Sequence, residues 1–167
     1  MVRVGFENVK DGFFRRLLQE LVRQLSEAFG GSLVSVVLFG SVARGEAGEE
    51  SDVDVIVVCE DFPEGISGRV DMLLPVLDEV YARVEGRKPF IQFHPLRPDE
   101  AAKSRPIYLD VLEDGVILYD KEGFILRVLG RMERKLRELG ARRVHLKDGS
   151  WIWVLKPGMR LGEVVRL

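Results

Sequence analysis

Apolar residues recur at helical spacing through Phe13, Phe14, Leu17, Leu18, Leu21, Val22, Leu25, Ala28 and Phe29, which predicts one long amphipathic helix. Gly30-Gly31 ends it. The period then changes. Leu33 to Phe39 is a β-branched apolar run of strand length, and Val53 to Val58 is a second. Between them, residues 40–51 are rich in Gly, Ser and acids, as a turn with one short helical turn would be. Residues 61–65 read as a loop. A second helical stripe runs through Val70, Leu73, Leu74, Leu77, Val80, Tyr81 and Val84, where Pro75 predicts a kink or a late start. Pro89 to Leu96 reads as a third strand. Residues 99–112 read as helix broken near Pro106, and Val116 to Tyr119 as a short strand. Phe124, Ile125, Val128, Leu129, Met132, Leu136 and Leu139 mark a last helix.

After that helix the pattern alternates. Val144 and Leu146, then Trp151, Trp153 and Leu155, are separated by polar neighbours, with Asp148-Gly149 between the two runs. That pair favours a two-residue hairpin turn, so residues 142–155 predict a hairpin and 156–167 a tail. The expected fold is α/β (α+β), with a small mixed sheet, helices mainly on one face, and a C-terminal helix and hairpin. Strands 33–39, 53–58 and 89–95 should be neighbours. Residues 1–120 form the expected main domain and 121–167 an extension.

Composition narrows the class. Of 167 residues, 46% are hydrophobic and 31% charged, a globular balance rather than a disordered one. The longest apolar runs are strand-sized, so no membrane span is expected. Glu7, Lys10 and Asp11 interrupt any signal-peptide pattern. The single cysteine, Cys59, excludes an internal disulfide framework and a CxxC zinc site. A cytoplasmic protein is expected. Abundant Arg and Glu with one Asn, Asn8, suit a thermophile. A net charge of −2 gives no general argument for nucleic acid.

The chemistry concentrates in Gly40-Ser41-Val42-Ala43-Arg44-Gly45 and Ser51-Asp52-Val53-Asp54. Gly40 follows a buried strand and lets a ligand approach the backbone. Ser41 offers a hydroxyl and an N–H at a helix start, where unpaired N–H groups favour phosphate. Asp52 and Asp54 stand two apart entering a strand, so both carboxylates point to one face. Such a pair invites a cation between them, and oxygen-only donors with room for phosphate suit magnesium.

These residues resemble the minimal nucleotidyltransferases of the DNA polymerase β superfamily, of archaeal type. Gly40, Ser41, Ala43, Arg44, Gly45, Ser51, Asp52 and Asp54 match that family's pattern. The resemblance is strong over 33–58 and looser to about 120, where residues 114–119 are also similar. Residues 153–157 with Gly162, Glu163 and Val164 look like an extension of an archaeal subgroup. The resemblance implies that residues 1–120 form a nucleotidyltransferase domain. It also implies transfer of a nucleoside monophosphate from a triphosphate, ATP first among them, to a hydroxyl, with pyrophosphate released. Gly40, Ser41, Arg44 and Ser51 would bind the nucleotide, and Asp52 and Asp54 two magnesium ions. A HEPN-domain protein is the implied partner.

Active members carry a third carboxylate on the following strand, and here that position falls on Gln92. An amide binds magnesium weakly and cannot act as a base. His94 shares the face of Gln92 and is the other third-position candidate, as base or as ligand for a softer metal. Glu100 and Asp110 are further acids within reach in sequence. The alternative function is an attenuated, antitoxin-like module that binds nucleotide and a partner. Nucleic-acid binding is a weaker reading. It rests on Arg127, Arg131, Arg134, Lys135, Arg137, Arg142, Arg143 and Lys147 with Trp151 and Trp153, against interleaved Glu133 and Glu138. Cys59 reads as a core residue and His145 as solvent-facing.

Overall fold

The computed structural model describes residues 2–160 and 163–165. Helix α1 spans Gly12–Phe29, and its start is fixed by Asp11, whose carboxylate accepts the N–H groups of Phe13 and Phe14 at 2.8 and 3.0 Å. Phe14, Leu17, Leu18, Leu21 and Leu25 form its buried stripe.

Strands β1 (Arg3–Val4), β2 (Leu33–Phe39), β3 (Val53–Cys59), β4 (Ile91–Leu96) and β5 (Val116–Asp120) form one sheet in the order β1-β5-β2-β3-β4. β2 is antiparallel to β3 and to β5. β3 and β4 are parallel, as are β1 and β5. The three strands expected to be neighbours are neighbours. β1 was not expected, because two residues carry no readable period. It is held in part by Arg3, which donates to the carbonyls of Ala43 at 2.7 Å and of Asp114.

Helix α3 (Ile66–Arg83) makes the crossover between β3 and β4. With α1 it covers one face of the sheet, against Val36, Leu38, Val55 and Val57. The opposite face, which presents Val37, Phe39, Ile56 and Val58, is covered by helices α4 (Pro98–Ala101), α5 (Ile107–Asp114) and α6 (Phe124–Leu139). The mixed α/β architecture is the expected one. Helices share one face only for α1 and α3, since α6 buries Ile125, Val128, Leu129, Met132 and Leu136 on the other. Asp120 starts α6 by accepting the N–H groups of Ile125 and Leu126 at 2.9 and 3.1 Å.

Two expectations about α3 are corrected. The helix begins nine residues before Pro75, so there is no late start. Pro75 and the residue four before it, Asp71, are both exposed, so water can satisfy the carbonyl that proline leaves unpaired. The buried positions are Arg69, Leu73, Val76 and Val80, while Val70 and Leu74 lie 36% and 49% exposed. Arg69 is 1% exposed. It makes a bidentate pair with Glu100, 2.6 and 2.9 Å, and donates to the carbonyls of Pro63, Glu64 and Pro95. One side chain thus ties the start of α3 to the end of β4 and to α4.

β6 (Arg142–His145) and β7 (Trp151–Val154) form the expected hairpin. Its turn is not the two-residue kind. Leu146 N–H donates to Ser150 at 2.8 Å, Gly149 N–H donates to Leu146 at 3.1 Å, and Gly149 takes φ +86°. This is a three-residue loop closed by a glycine in the left-handed region. Among the described residues, no helix is long and apolar enough to cross a membrane. Gly162, named in the tail resemblance, lies outside the described residues.

Candidate active site

β2 delivers its C-terminal end to the helical turn α2, Gly40–Arg44. Gly40 takes φ +77°, and a Cβ there would stand 2.5 Å from Asp54 Oδ2. No side chain fits, so the carboxylate of Asp54 sits directly on the Gly40 backbone. The β2–β3 register sets this contact by pairing Phe39 with Asp54. Gly40 and Asp54, fourteen residues apart, are brought together as expected. Asp52 is exposed and lies just ahead of β3. Asp54 belongs to the face of Ile56 and Val58, the face turned toward α5.

The parallel register of β3 with β4 pairs Asp54 with Gln92 and Ile56 with His94. Gln92 therefore occupies the position beside Asp54 where a third carboxylate would stand, and it is exposed. His94 falls on the same face. Its Nε2 is enclosed without a hydrogen-bond partner and lies 3.7 Å from Asp54 Oδ1, beyond hydrogen-bond length. The ring packs at 5.1 Å from the ring of Phe39.

The other acids are engaged elsewhere. Arg69 holds Glu100 well below the usual carboxylate range, at about 2, so it is a structural anion. Burial pushes Asp110 up, against the pull of Arg44 and Arg143, and its carboxylate accepts from the Trp151 indole. Arg44 pairs with Glu46 at 2.7 Å and with Asp114 at 3.8 Å, and lies 5.4 Å over Trp151. Arg143 covers the same ring at 4.9 Å and reaches Asp114 at 3.4 Å. Arg44 thus joins α2 to the C-terminal hairpin. This latch was missed in the sequence, where Trp151 read as part of the hairpin's alternation and as a candidate base-stacking face. Ser51 closes the turn before β3, its hydroxyl accepting the Gly48 N–H at 2.9 Å.

Asp54 stands on this face beside the Gly40 backbone, with Asp52 two residues before it and Ser41 next to Gly40 in the chain. Among the described residues, no cluster of three or more His, Cys, Asp or Glu side chains is arranged to hold a metal by itself. One or two carboxylates completed by phosphate oxygens and water is the usual magnesium arrangement, so the residues fit that ion when a triphosphate is bound.

A family model described as a nucleotidyltransferase domain matches residues 18–108. A protein of Methanocaldococcus jannaschii named "Putative protein adenylyltransferase MJ1305" is 31% identical over 124 residues, 74% of this chain and 83% of the relative. A second from that organism, of the same name but numbered MJ0604, is 30% identical over 105 residues, 62% of this chain and 96% of the relative. A solved structure described as a toxin-antitoxin with AMP-PNP superposes with a TM-score of 0.49 at 16% identity, covering 73% of this chain and 91% of its own.

Proposed function

Because the chain belongs to the nucleotidyltransferase domain family, we propose that it moves a nucleoside monophosphate, AMP from ATP, to a hydroxyl on a partner protein. The observation that carries this reading is the Asp54 carboxylate lying against the Gly40 backbone, within the register that brings Gln92 alongside. The choice of ATP and of a protein acceptor rests on the name shared by the two archaeal relatives. A HEPN-domain protein is a partner of this kind by the resemblance given above. The chemistry belongs to residues 1–120, with 121–167 as the extension.

In this reading Gly40 and Ser41 bind the phosphates beyond the scissile bond, through backbone N–H groups and the serine hydroxyl. Asp52 and Asp54 would hold two magnesium ions, which when bound would neutralise phosphate charge. The acceptor hydroxyl oxygen attacks the α-phosphorus. The bond from that phosphorus to the bridging oxygen breaks, and pyrophosphate leaves. Gln92 cannot take the hydroxyl proton, and its exposure leaves water to receive it. Arg44 keeps α2 in place through Trp151 and Asp114.

Incubation with each of the four α-labelled nucleoside triphosphates, magnesium and candidate acceptor proteins tests the proposal. Label on an acceptor, highest from ATP, is expected. Label from none of the four would contradict it. A Gln92→Asp variant sharpens the test, because it puts a base beside Asp54. Transfer should rise by about 10²-fold, the usual worth of a positioned base. A fall in rate in that variant would mean that another residue already fills the role.

A further inference from the structure

Residues 102–108 separate two hollows on the sheet face that carries Asp54. On one side Arg105, Pro106 and Ile107 meet Ile56 and His94 around a cavity of about 180 Å³, beside the site. On the other side Ala102 and Ser104 face Val128, Arg131, Met132 and Lys135 of α6 across a groove of about 260 Å³. A third hollow shares Arg131 and continues along α6 past Arg127, Gly130 and Arg134. Among the described residues, no acidic residue lines the groove or its continuation. Among the described residues, Arg131, Arg134 and Lys135 have no hydrogen-bonding or ion-pair partner. The chain as a whole carries a charge of −2, so this unpaired positive strip stands out from the rest of the surface.

The floor of the groove decides between kinds of anion. Val128 and Met132 are apolar and almost buried, at 4% and 3%. Tyr108, the one aromatic side chain in its lining, is buried, with its hydroxyl bound to the Ala101 carbonyl at 2.7 Å. A single-stranded nucleic acid would want exposed aromatic faces for its bases, and this wall presents none. Cations without partners, beside a site read as transferring to a protein, suit an acidic polypeptide segment.

We propose that this groove docks the acceptor protein of the transfer reaction. The docked segment places acidic side chains on Arg131 and Lys135. Its acceptor hydroxyl reaches Asp54 across the Arg105–Ile107 segment, which lines the cavity at His94. The inference rests on the reading of the site as one that transfers to a protein hydroxyl.

The test uses the full chain, the double variant Arg131→Glu/Lys135→Glu, and four labelled probes. These are a random glutamate–tyrosine copolymer, polyglutamate, a lysine–tyrosine copolymer and a single-stranded oligonucleotide, each followed by fluorescence anisotropy. The glutamate–tyrosine copolymer and polyglutamate should both bind, more weakly as salt rises, and the lysine–tyrosine copolymer should not. The double variant should lose at least about tenfold of that affinity, and its ATP affinity should equal that of the parent chain. Tighter binding of the oligonucleotide, or an unchanged double variant, would overturn the proposal itself. Absence of ATP binding in the parent chain would sink the reading of the site instead, which keeps the two failures distinct.

Discussion

Asparagine at both Asp52 and Asp54 should remove nucleotide transfer, by on the order of 10³-fold or more, while the protein stays folded. Charge stabilisation by bound divalent ions is worth several kcal/mol, and each ~1.4 kcal/mol is a factor of ten. Asn keeps the shape of the side chain and removes the charge that would hold the cation. The fold has little to lose. Asp52 is exposed, and the nearest partner of Asp54 is His94 Nε2 at 3.7 Å. The stability change should therefore stay within about 1 kcal/mol, as for substitutions away from buried networks. Transfer rate, magnesium-dependent nucleotide affinity and a thermal melt check the three parts together. Unchanged affinity in the double variant would show that these carboxylates are not the metal ligands.

The largest stability effect should come from a residue outside the chemistry. Arg69→Leu strips Glu100 of its guanidinium partner, leaving it the Arg97 N–H, and leaves three carbonyls without their donor in a site where the guanidinium is 1% exposed. Breaking one side of a buried pair costs about 3–5 kcal/mol, which in a chain of this size lowers Tm by roughly 10 °C. The double change Arg69→Leu/Glu100→Leu should recover part of the loss, because no charge is then stranded. Acid adds a second signature. The folded-state pKa of Glu100 is depressed to about 2 from a usual value near 4.5, so its contribution is present above about pH 4.5. It is lost progressively as pH falls from there toward 2. That acid-dependent part should shrink in Arg69→Leu, where the Arg97 N–H and Arg105 alone still hold the carboxyl down. A Tm within a degree of the parent chain, with the acid profile unchanged, would contradict this role.

Local patterns were legible where a single rule dominated. The α1 stripe and the apolar run of β2 follow from period and length, and the pairing of Asp54 with Gln92 from the third-carboxylate position that the resemblance implies. The contact between Gly40 and Asp54 followed from the motif, since a glycine is needed where a carboxylate lies 2.5 Å from the place of a Cβ. What escaped was set by partners distant in sequence. Arg69 lies on the buried stripe 69, 73, 76, 80, and that spacing was a usable signal. Yet an arginine reads as solvent-facing until its partner, 31 residues on, is known. Val70 and Leu74 looked like core for the converse reason: apolar identity does not say which of two adjacent stripes meets the sheet. The latch of Arg44, Trp151 and Asp114 joins three elements, and the Asp148-Gly149 turn depends on one residue of strand register.

Parallel reactions with ATP labelled on the α- or on the γ-phosphate, with a candidate acceptor protein, magnesium and a pyrophosphate assay, bear most directly on the central claim. Nucleotidyl transfer predicts acceptor label from α-labelled ATP alone and one pyrophosphate released for each label fixed. Acceptor label from the γ-position, with ADP in place of pyrophosphate, would contradict it.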